Sequence, residues 1–191
     1  MGAPLTAHIL VTGAGGGRGE QLCGQLVAQG NTVRALCRET SQSALCSEID
    51  VVRGDIRDEG SLRDATRDID VIVHLAARVH VMRDTAADPL AEFRRVNVAG
   101  TAMLAAAARN AGVRHIVFAS SVKAVGDAST SAWTTATPAV PSDPYGVSKL
   151  EAEQLLLAQS GERPAVTVLR FPLIYGPGMK GNMLRLFRIV S

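Results

Sequence analysis

The chain has 191 residues, enough for one domain with a sizeable core. A net charge of only +2 and an aromatic content of 4% exclude a polyanion-binding surface and a base-stacking platform, so no nucleic-acid partner is expected. No apolar run approaches the ~18 residues of a membrane span. The N-terminal apolar stretch runs straight into a glycine-rich loop, unlike a signal peptide, and Cys23, Cys37 and Cys46 lack CxxC spacing and read as reduced thiols. Together these features point to the cytoplasm and to no membrane partner.

The first strand is expected over residues 7–11, including His8-Ile9-Leu10-Val11. It runs into Thr12-Gly13-Ala14-Gly15-Gly16-Gly17-Arg18-Gly19, and a helix is expected over residues 20–29. Strand, glycine turn and helix are the context a dinucleotide fingerprint requires. Glycines permit the tight turn and let backbone N–H groups approach a pyrophosphate at the helix N-terminus. Gly13, Gly16, Gly17 and Gly19 are therefore candidate cofactor contacts, with Arg18 inside the loop as a further one whose direction is open. The second strand, residues 32–36, ends at Cys37-Arg38. An acidic residue near that point would grip the ribose 2′-OH of NAD. No carboxylate stands there to repel a 2′-phosphate, and Arg38 is available to pair with one, which favours NADP(H) over NAD(H).

Further strands are expected at residues 50–53, 70–75, 115–119 and 166–170, and helices at 61–67, 89–111 and 144–159. The longest helix opens on Asp88-Pro89, cap then proline, and stops before Gly112. Alternating strands and helices predict an α/β fold, a Rossmann-like doubly wound parallel sheet covered on both faces. Residues 129–141, rich in Ser, Thr, Ala and Pro, read as a loop of the length that often forms a lid.

Asp143-Pro144-Tyr145-Gly146-Val147-Ser148-Lys149 opens the last helix, with Asp143 as N-cap and Pro144 as its first residue. Tyr145 and Lys149 are four apart and share one helix face. A phenol titrates near 10 and is a poor base at neutral pH; bringing it to ~7 takes about 4 kcal/mol of differential interaction. A neighbouring ammonium lowers it in that direction. Other chemistries lack their residues: His74, His80 and His115 form no metal-ligand cluster, so no metal is expected. The glycine loop lacks the Gly-Lys-Ser/Thr ending of a phosphate-transfer loop, and no GxSxG hydrolase elbow occurs.

These motifs resemble the extended short-chain dehydrogenase/reductase family of nucleotide-sugar epimerases, reductases and dehydratases. The resemblance rests on the glycine fingerprint, Gly54-Asp55-Ile56-Arg57-Asp58, His74-Leu75-Ala76-Ala77, Val96-Asn97-Val98-x-Gly100-Thr101, Phe118-Ala119-Ser120-Ser121, the Tyr145/Lys149 pair, and Arg170-x-Pro172-x-x-Tyr175-Gly176-Pro177-Gly178. It covers nearly the whole chain. Residues 76–82 and Ser120-Ser121-Val122-Lys123 look most like the bacterial UDP-sugar 4-epimerase and 4-keto-reductase branch.

The resemblance implies Ser121, Tyr145 and Lys149 as the catalytic triad, with Lys149 also holding the nicotinamide ribose. It implies Asp55 and Ile56 at the adenine, Ala76, Ala77 and Arg78 beside the ribose and pyrophosphate, and Pro172 and Leu173 against the nicotinamide carboxamide. Asn97 is expected to support backbone around the catalytic groups. His80, Arg83 and Asn182 are candidate contacts for substrate phosphate or sugar, as is Ser121 for the reacting oxygen. Val122 and Lys123 stand where the family's dehydratases carry an Asp-Glu pair, which speaks against elimination.

The implied activity is NAD(P)-dependent hydride transfer at C4 of a UDP-linked sugar, as epimerase or keto-reductase; a non-catalytic NAD(P)-binding module is the alternative. Residues 1–176 are expected to form the cofactor domain. Residues 177–191, with a short helix at 183–190, would begin a substrate lobe that is largely missing, and the long helices are a possible homodimer surface.

Overall fold

Ile9, Leu10 and Val11 are apolar in succession because their strand is covered on both sides, and all three are buried. The computed structural model describes residues 6–41, 45–79, 86–159, 161 and 163–174. In it that strand is β1 (His8–Thr12), followed by α1 (Gly17–Ala28), β2 (Thr32–Cys37), β3 (Asp50–Arg53), α2 (Glu59–Thr66) and β4 (Val71–His74). Then come α3 (Pro89–Phe93), α4 (Gly100–Asn110), β5 (His115–Ser121), α5 (Pro144–Ala158) and β6 (Ala165–Phe171). A π-helical segment, Arg94–Ala99, joins α3 to α4, and a 3-10 turn, Val122–Ala124, follows β5.

All six strands run parallel in the order β3-β2-β1-β4-β5-β6. Side chains alternate across the sheet, so Ile9 and Val11 join Cys23 of α1 with Val33, Ala35 and Cys37 of β2 in one core. Leu10 faces the other way, with Leu62 of α2, Leu104 and Ala108 of α4, Ile116 and Phe118 of β5, and Ala152 and Leu156 of α5. The strand order reverses between β1 and β4, and a doubly wound sheet binds its ligand in the crevice beyond the C-terminal ends of those strands.

Two helices differ from the sequence expectation in ways that bear on the site, while α2 and α5 shift by one or two residues at their ends. The first begins at Gly17 rather than residue 20, so Arg18 is on the first turn of α1 instead of in the loop. The expected helix at 89–111 is interrupted by the six-residue π segment, a feature with no propensity signal, often found where function demands local geometry. The Tyr175-Gly176-Pro177-Gly178 turn, the 176/177 boundary and the helix expected at 183–190 lie outside the described residues.

Candidate active site

At the crevice the chain leaves β1 through Gly13, whose φ of +73° suits glycine. A side chain there would sit 2.7 Å from the Ala76 backbone, so the loops after β1 and β4 touch. Gly19 sets a second close approach: a Cβ would come within 2.5 Å of the Gly13 carbonyl. Three helices are capped by aspartate, with Asp58, Asp88 and Asp143 accepting from Ser61 at 2.7 Å, Ala91 at 3.0 Å and Gly146 at 2.8 Å. α1 opens on Gly16, with no side-chain cap, and Gly16, Gly17 and Arg18 are exposed. The positive end of its dipole is thus presented to the crevice free of any carboxylate cap, the arrangement that receives a phosphate.

Around this point the other expected cofactor residues take their places. Arg38 is exposed just past β2. Its carbonyl accepts from Arg53 Nη1 at 3.2 Å, and Arg53 also reaches the Ser41 carbonyl at 3.1 Å. Arg53, in register with Cys37 across β2 and β3, therefore brings a second guanidinium to this corner, one the sequence reading did not single out. The Arg57 hydrogen bond holds the Asp55 carboxyl below its ordinary range, with an ion pair at 2.6 Å. The Ile56 side chain is buried in the core, which leaves only its backbone to meet a ligand. Pro172 and Leu173 are exposed immediately beyond β6. His80, Arg83 and Asn182 lie outside the described residues.

The three expected catalytic residues converge at the end of β5. Ser121 is its last residue, its Oγ accepting from the Lys123 N–H at 3.2 Å, and it lies close enough to Tyr145 to favour the phenolate; Tyr145 sits half-buried on the first turn of α5 with its ring edge-on to Phe93 at 6.0 Å. Lys149, one turn further, is only 1% exposed. Its Nζ donates to the Ala119 carbonyl at 2.7 Å and lies 3.9 Å from the Phe118 ring centroid. The charge states differ from the sequence expectation. Burial raises the Tyr145 phenol above its ordinary value, although the Ser121 hydroxyl and the Arg18 charge pull the other way. Burial also pulls the Lys149 ammonium down to about 7, with Glu153 opposing. Tyr145 is therefore a phenol here, because desolvation outweighs the Ser121 hydroxyl and the Arg18 charge.

Behind these groups runs a buried polar chain. Ala76 N–H donates to Thr12 Oγ1 at 3.2 Å, and Thr12 lies 2.7 Å from His74 Nδ1. His74 Nε2 lies 2.9 Å from Thr101 Oγ1, whose hydroxyl donates to the Asn97 carbonyl at 2.6 Å. Thr101 can then only accept from His74, so Nε2 carries the proton and Nδ1 accepts from Thr12. The Asn97 side chain clamps both backbone groups of Arg78, at 2.7 and 3.0 Å, and donates to Ser148 Oγ at 2.9 Å. Ser148 in turn donates to the Tyr145 carbonyl at 2.8 Å. The glycine loop and the helix bearing Tyr145 are thus joined through Asn97, in the support role expected for it. His74, Thr12, Thr101 and Ser148 had no such role in the sequence, where a histidine or threonine at a strand end is unremarkable.

The profile of the NAD dependent epimerase/dehydratase family matches residues 9–189. The chain belongs to that family. It is 36% identical over 193 residues to the UDP-glucose 4-epimerase of Vibrio cholerae, covering 98% of this chain and 58% of that protein. It is 38% identical over 174 residues to sterol demethylase protein B of Methylococcus capsulatus, covering 88% of this chain and 52% of that protein. The solved structure of MoeE5 in complex with UDP-glucuronic acid and NAD superimposes with a TM-score of 0.81 at 34% identity, over 95% of this chain and 60% of that one. The chain thus spans between half and three fifths of the length of these relatives. Among the described residues no helix is long and apolar enough to cross a membrane, and no group of three His, Cys, Asp or Glu is placed to hold a metal ion.

Proposed function

We propose that the protein is an NAD(P)-dependent nucleotide-sugar 4-epimerase or 4-keto-reductase of the cytoplasm, with residues 1–176 as its dinucleotide-binding domain. The observation that carries this reading is the meeting of the Ser121 and Tyr145 hydroxyls over the same strand end that holds the buried Lys149, next to a helix N-terminus without a side-chain cap. The residues present fit a dinucleotide. Gly13 and Gly19 let the loop pack closely on Ala76 and on itself, Gly16 and Gly17 leave room for the pyrophosphate, and Arg18 adds a cation. Asp55 and the Ile56 backbone meet the adenine. Arg38 with Arg53 receives a 2′-phosphate, which supports NADPH. Ala76, Ala77 and Arg78 wall the ribose, and Pro172 and Leu173 lie at the nicotinamide end.

When bound, the nicotinamide supplies or accepts the hydride at sugar C4. The chain's residues handle the proton. Tyr145, held as a phenol, donates to a C4 keto oxygen as it becomes an alkoxide, and recovers that proton from the hydroxyl in the reverse direction. Ser121 hydrogen-bonds the same oxygen and fixes its place between the two hydroxyls. Lys149 places a positive charge where the phenolate forms transiently, and it stabilises that charge more strongly because water is excluded. Lys123 is tied to Asp127 and Asp143, the latter at 3.2 Å, and is not spare for elimination chemistry. A homodimer through α4 and α5 belongs to the same reading and is checked by sedimentation.

The test assays the full-length protein with UDP-glucose, UDP-N-acetylglucosamine and 4-keto UDP-sugars, with bound dinucleotide followed by fluorescence. Epimerisation or NADPH-dependent reduction at C4 is expected. Tight dinucleotide binding with no turnover on any of them would instead leave a non-catalytic binding module. The relative named sterol demethylase protein B matches 88% of this chain over 52% of its own length, so the matched residues alone do not choose the substrate.

A further inference from the structure

Three consecutive residues of β5 engage three residues of α5 spaced four apart. Ser121 lies near Tyr145, the Ala119 carbonyl accepts from Lys149 at 2.7 Å, and Ser120 donates to Glu153. The first two contacts belong to the mechanism above; the third does not. Glu153 is 1% exposed, as is Lys149 one turn before it. Arg170, opposite Ser120 in the β5–β6 register, forks onto the carboxylate: Nε lies 3.1 Å from both oxygens and Nη2 lies 2.7 Å from Oε2. Such a bidentate pair is the strongest geometry available to a carboxylate.

Packing alone does not account for it, since a buried ion pair is often no more stabilising than apolar residues of the same volume. Glu153 also stands one turn after Lys149 on the same buried face of α5, which brings its carboxylate, fixed by Arg170, toward the buried ammonium. Among the described residues, the other titratable groups around Lys149 supply no negative charge. His74 on β4 is held neutral, its imidazole pushed down to about 3 by burial, and Tyr145 on α5 is a phenol. Arg170 on β6 is a cation, behind the carboxylate. Glu151 of α5 and its N-cap Asp143 are paired at the surface with Arg94 of the π segment and Lys123 of the 3-10 turn.

We propose that Glu153 is a positioning residue for Lys149: its carboxylate, fixed by Arg170 and Ser120, is the counter-charge that keeps a water-excluded ammonium charged and directed at Ala119 beside the Ser121–Tyr145 pair. This rests on reading Lys149 as the active-site lysine. Glu153 touches neither cofactor nor substrate and acts only through that side chain.

The chain contains three lysines, Lys123, Lys149 and Lys180, so [ε-13C]lysine labelling gives three signals, assigned with Lys123→Arg and Lys180→Arg. The Lys149 signal is titrated in the 191-residue chain without cofactor or substrate. Glu153→Gln should lower its midpoint by about one pH unit or more, because an opposite charge has been removed. Glu153→Asp should restore most of that shift. Arg170→Met should move the midpoint upward, because the carboxylate no longer shares its charge with a second cation. Shifts of opposite sign are what a merely structural role would not produce. An unchanged midpoint in Glu153→Gln, or the same direction of shift in both variants, overturns the proposal. If Glu153→Gln does not fold, the upward shift in Arg170→Met decides alone. The titration reads one lysine and no turnover, so its failure is distinct from failure of the proposed reaction. In the full-length enzyme Glu153→Gln should also bring the alkaline limit of turnover to lower pH.

Discussion

Replacing His74 by glutamine should remove the protein's sensitivity to mild acid. His74 is fully buried between Thr12 and Thr101, with its single proton on Nε2. A second proton would face Thr12 Oγ1, which already accepts from Ala76. Burial, with the Lys149 charge near, holds the imidazole at about 3, against an ordinary value of 6.5. The unfolded chain therefore binds a proton below 6.5 that the folded chain refuses. The stability is complete above that pH and is lost as pH falls toward 3. At about 1.4 kcal/mol per unit, the two units from 6.5 to 4.5 cost roughly 2.7 kcal/mol, a large share of an ordinary 5–15 kcal/mol. The depressed carboxylates of Asp55 and Asp70 add their own loss only further down, as they protonate. Urea unfolding at about pH 4.5, 5.5 and 6.5 should show the wild-type protein losing stability at nearly one proton's slope. His74→Gln, less stable at pH 7, should be almost flat over the same range. The reasoning is refuted if His74→Gln keeps the wild-type slope.

Gly16→Asp should separate stability from binding. The backbone there is extended, at φ −95° and ψ 151°, and a Cβ meets nothing closer than 3.6 Å, so the aspartate fits as an N-cap. The melting temperature should hold or rise slightly, since glycine-to-aspartate caps gain a few tenths of a kcal/mol. Dinucleotide affinity should fall at least about tenfold as the carboxylate meets the pyrophosphate; unchanged affinity would refute the placement. NADPH should bind several-fold tighter than NADH in fluorescence titrations, and Arg38→Ala should erase most of the difference; equal affinities in the wild-type protein would remove the NADP reading. In the full-length protein Tyr145→Phe should lower turnover by about 10²-fold while cofactor affinity changes little, and wild-type turnover would remove Tyr145 from the mechanism.

The fold was legible because its signals are local and periodic. Uninterrupted apolar runs marked buried strands, and Asp-Pro pairs at 88–89 and 143–144 marked helix starts that the structure places at the same residues. The glycine loop and the Tyr145/Lys149 spacing pointed to one crevice for the same reason: each is a short motif whose geometry follows from its own backbone. The polar chain through His74, Thr101 and Asn97 was not legible, since its long-range links join residues 19 to 64 positions apart through contacts only the assembled sheet creates. The π segment was invisible because no residue type announces it. The charge states were misread because the sequence shows that a lysine is near a tyrosine but not that both are desolvated. Spacing predicted a lowered phenol, and burial produced a raised one.

The departures from stability gather at one end of the sheet, which argues for the site independently of any motif. Elsewhere the chain follows the rules for a stable fold: aspartate caps on α2, α3 and α5, apolar strands, and surface ion pairs. At the C-terminal ends of β1, β4 and β5 it departs from them repeatedly. α1 lacks the aspartate cap that α2, α3 and α5 carry, which forgoes a few tenths of a kcal/mol. Gly13 holds a left-handed turn against the next loop. Lys149 is sealed from water although burial disfavours its ammonium, and His74 is buried where its charged form is strongly disfavoured. A fold selected for stability alone would have placed an acid at Gly16 and apolar groups at 74 and 149. Concessions so concentrated, and each with a defined sign of charge, are what a crevice needs if it is to receive an anion at α1 and handle a proton at Tyr145.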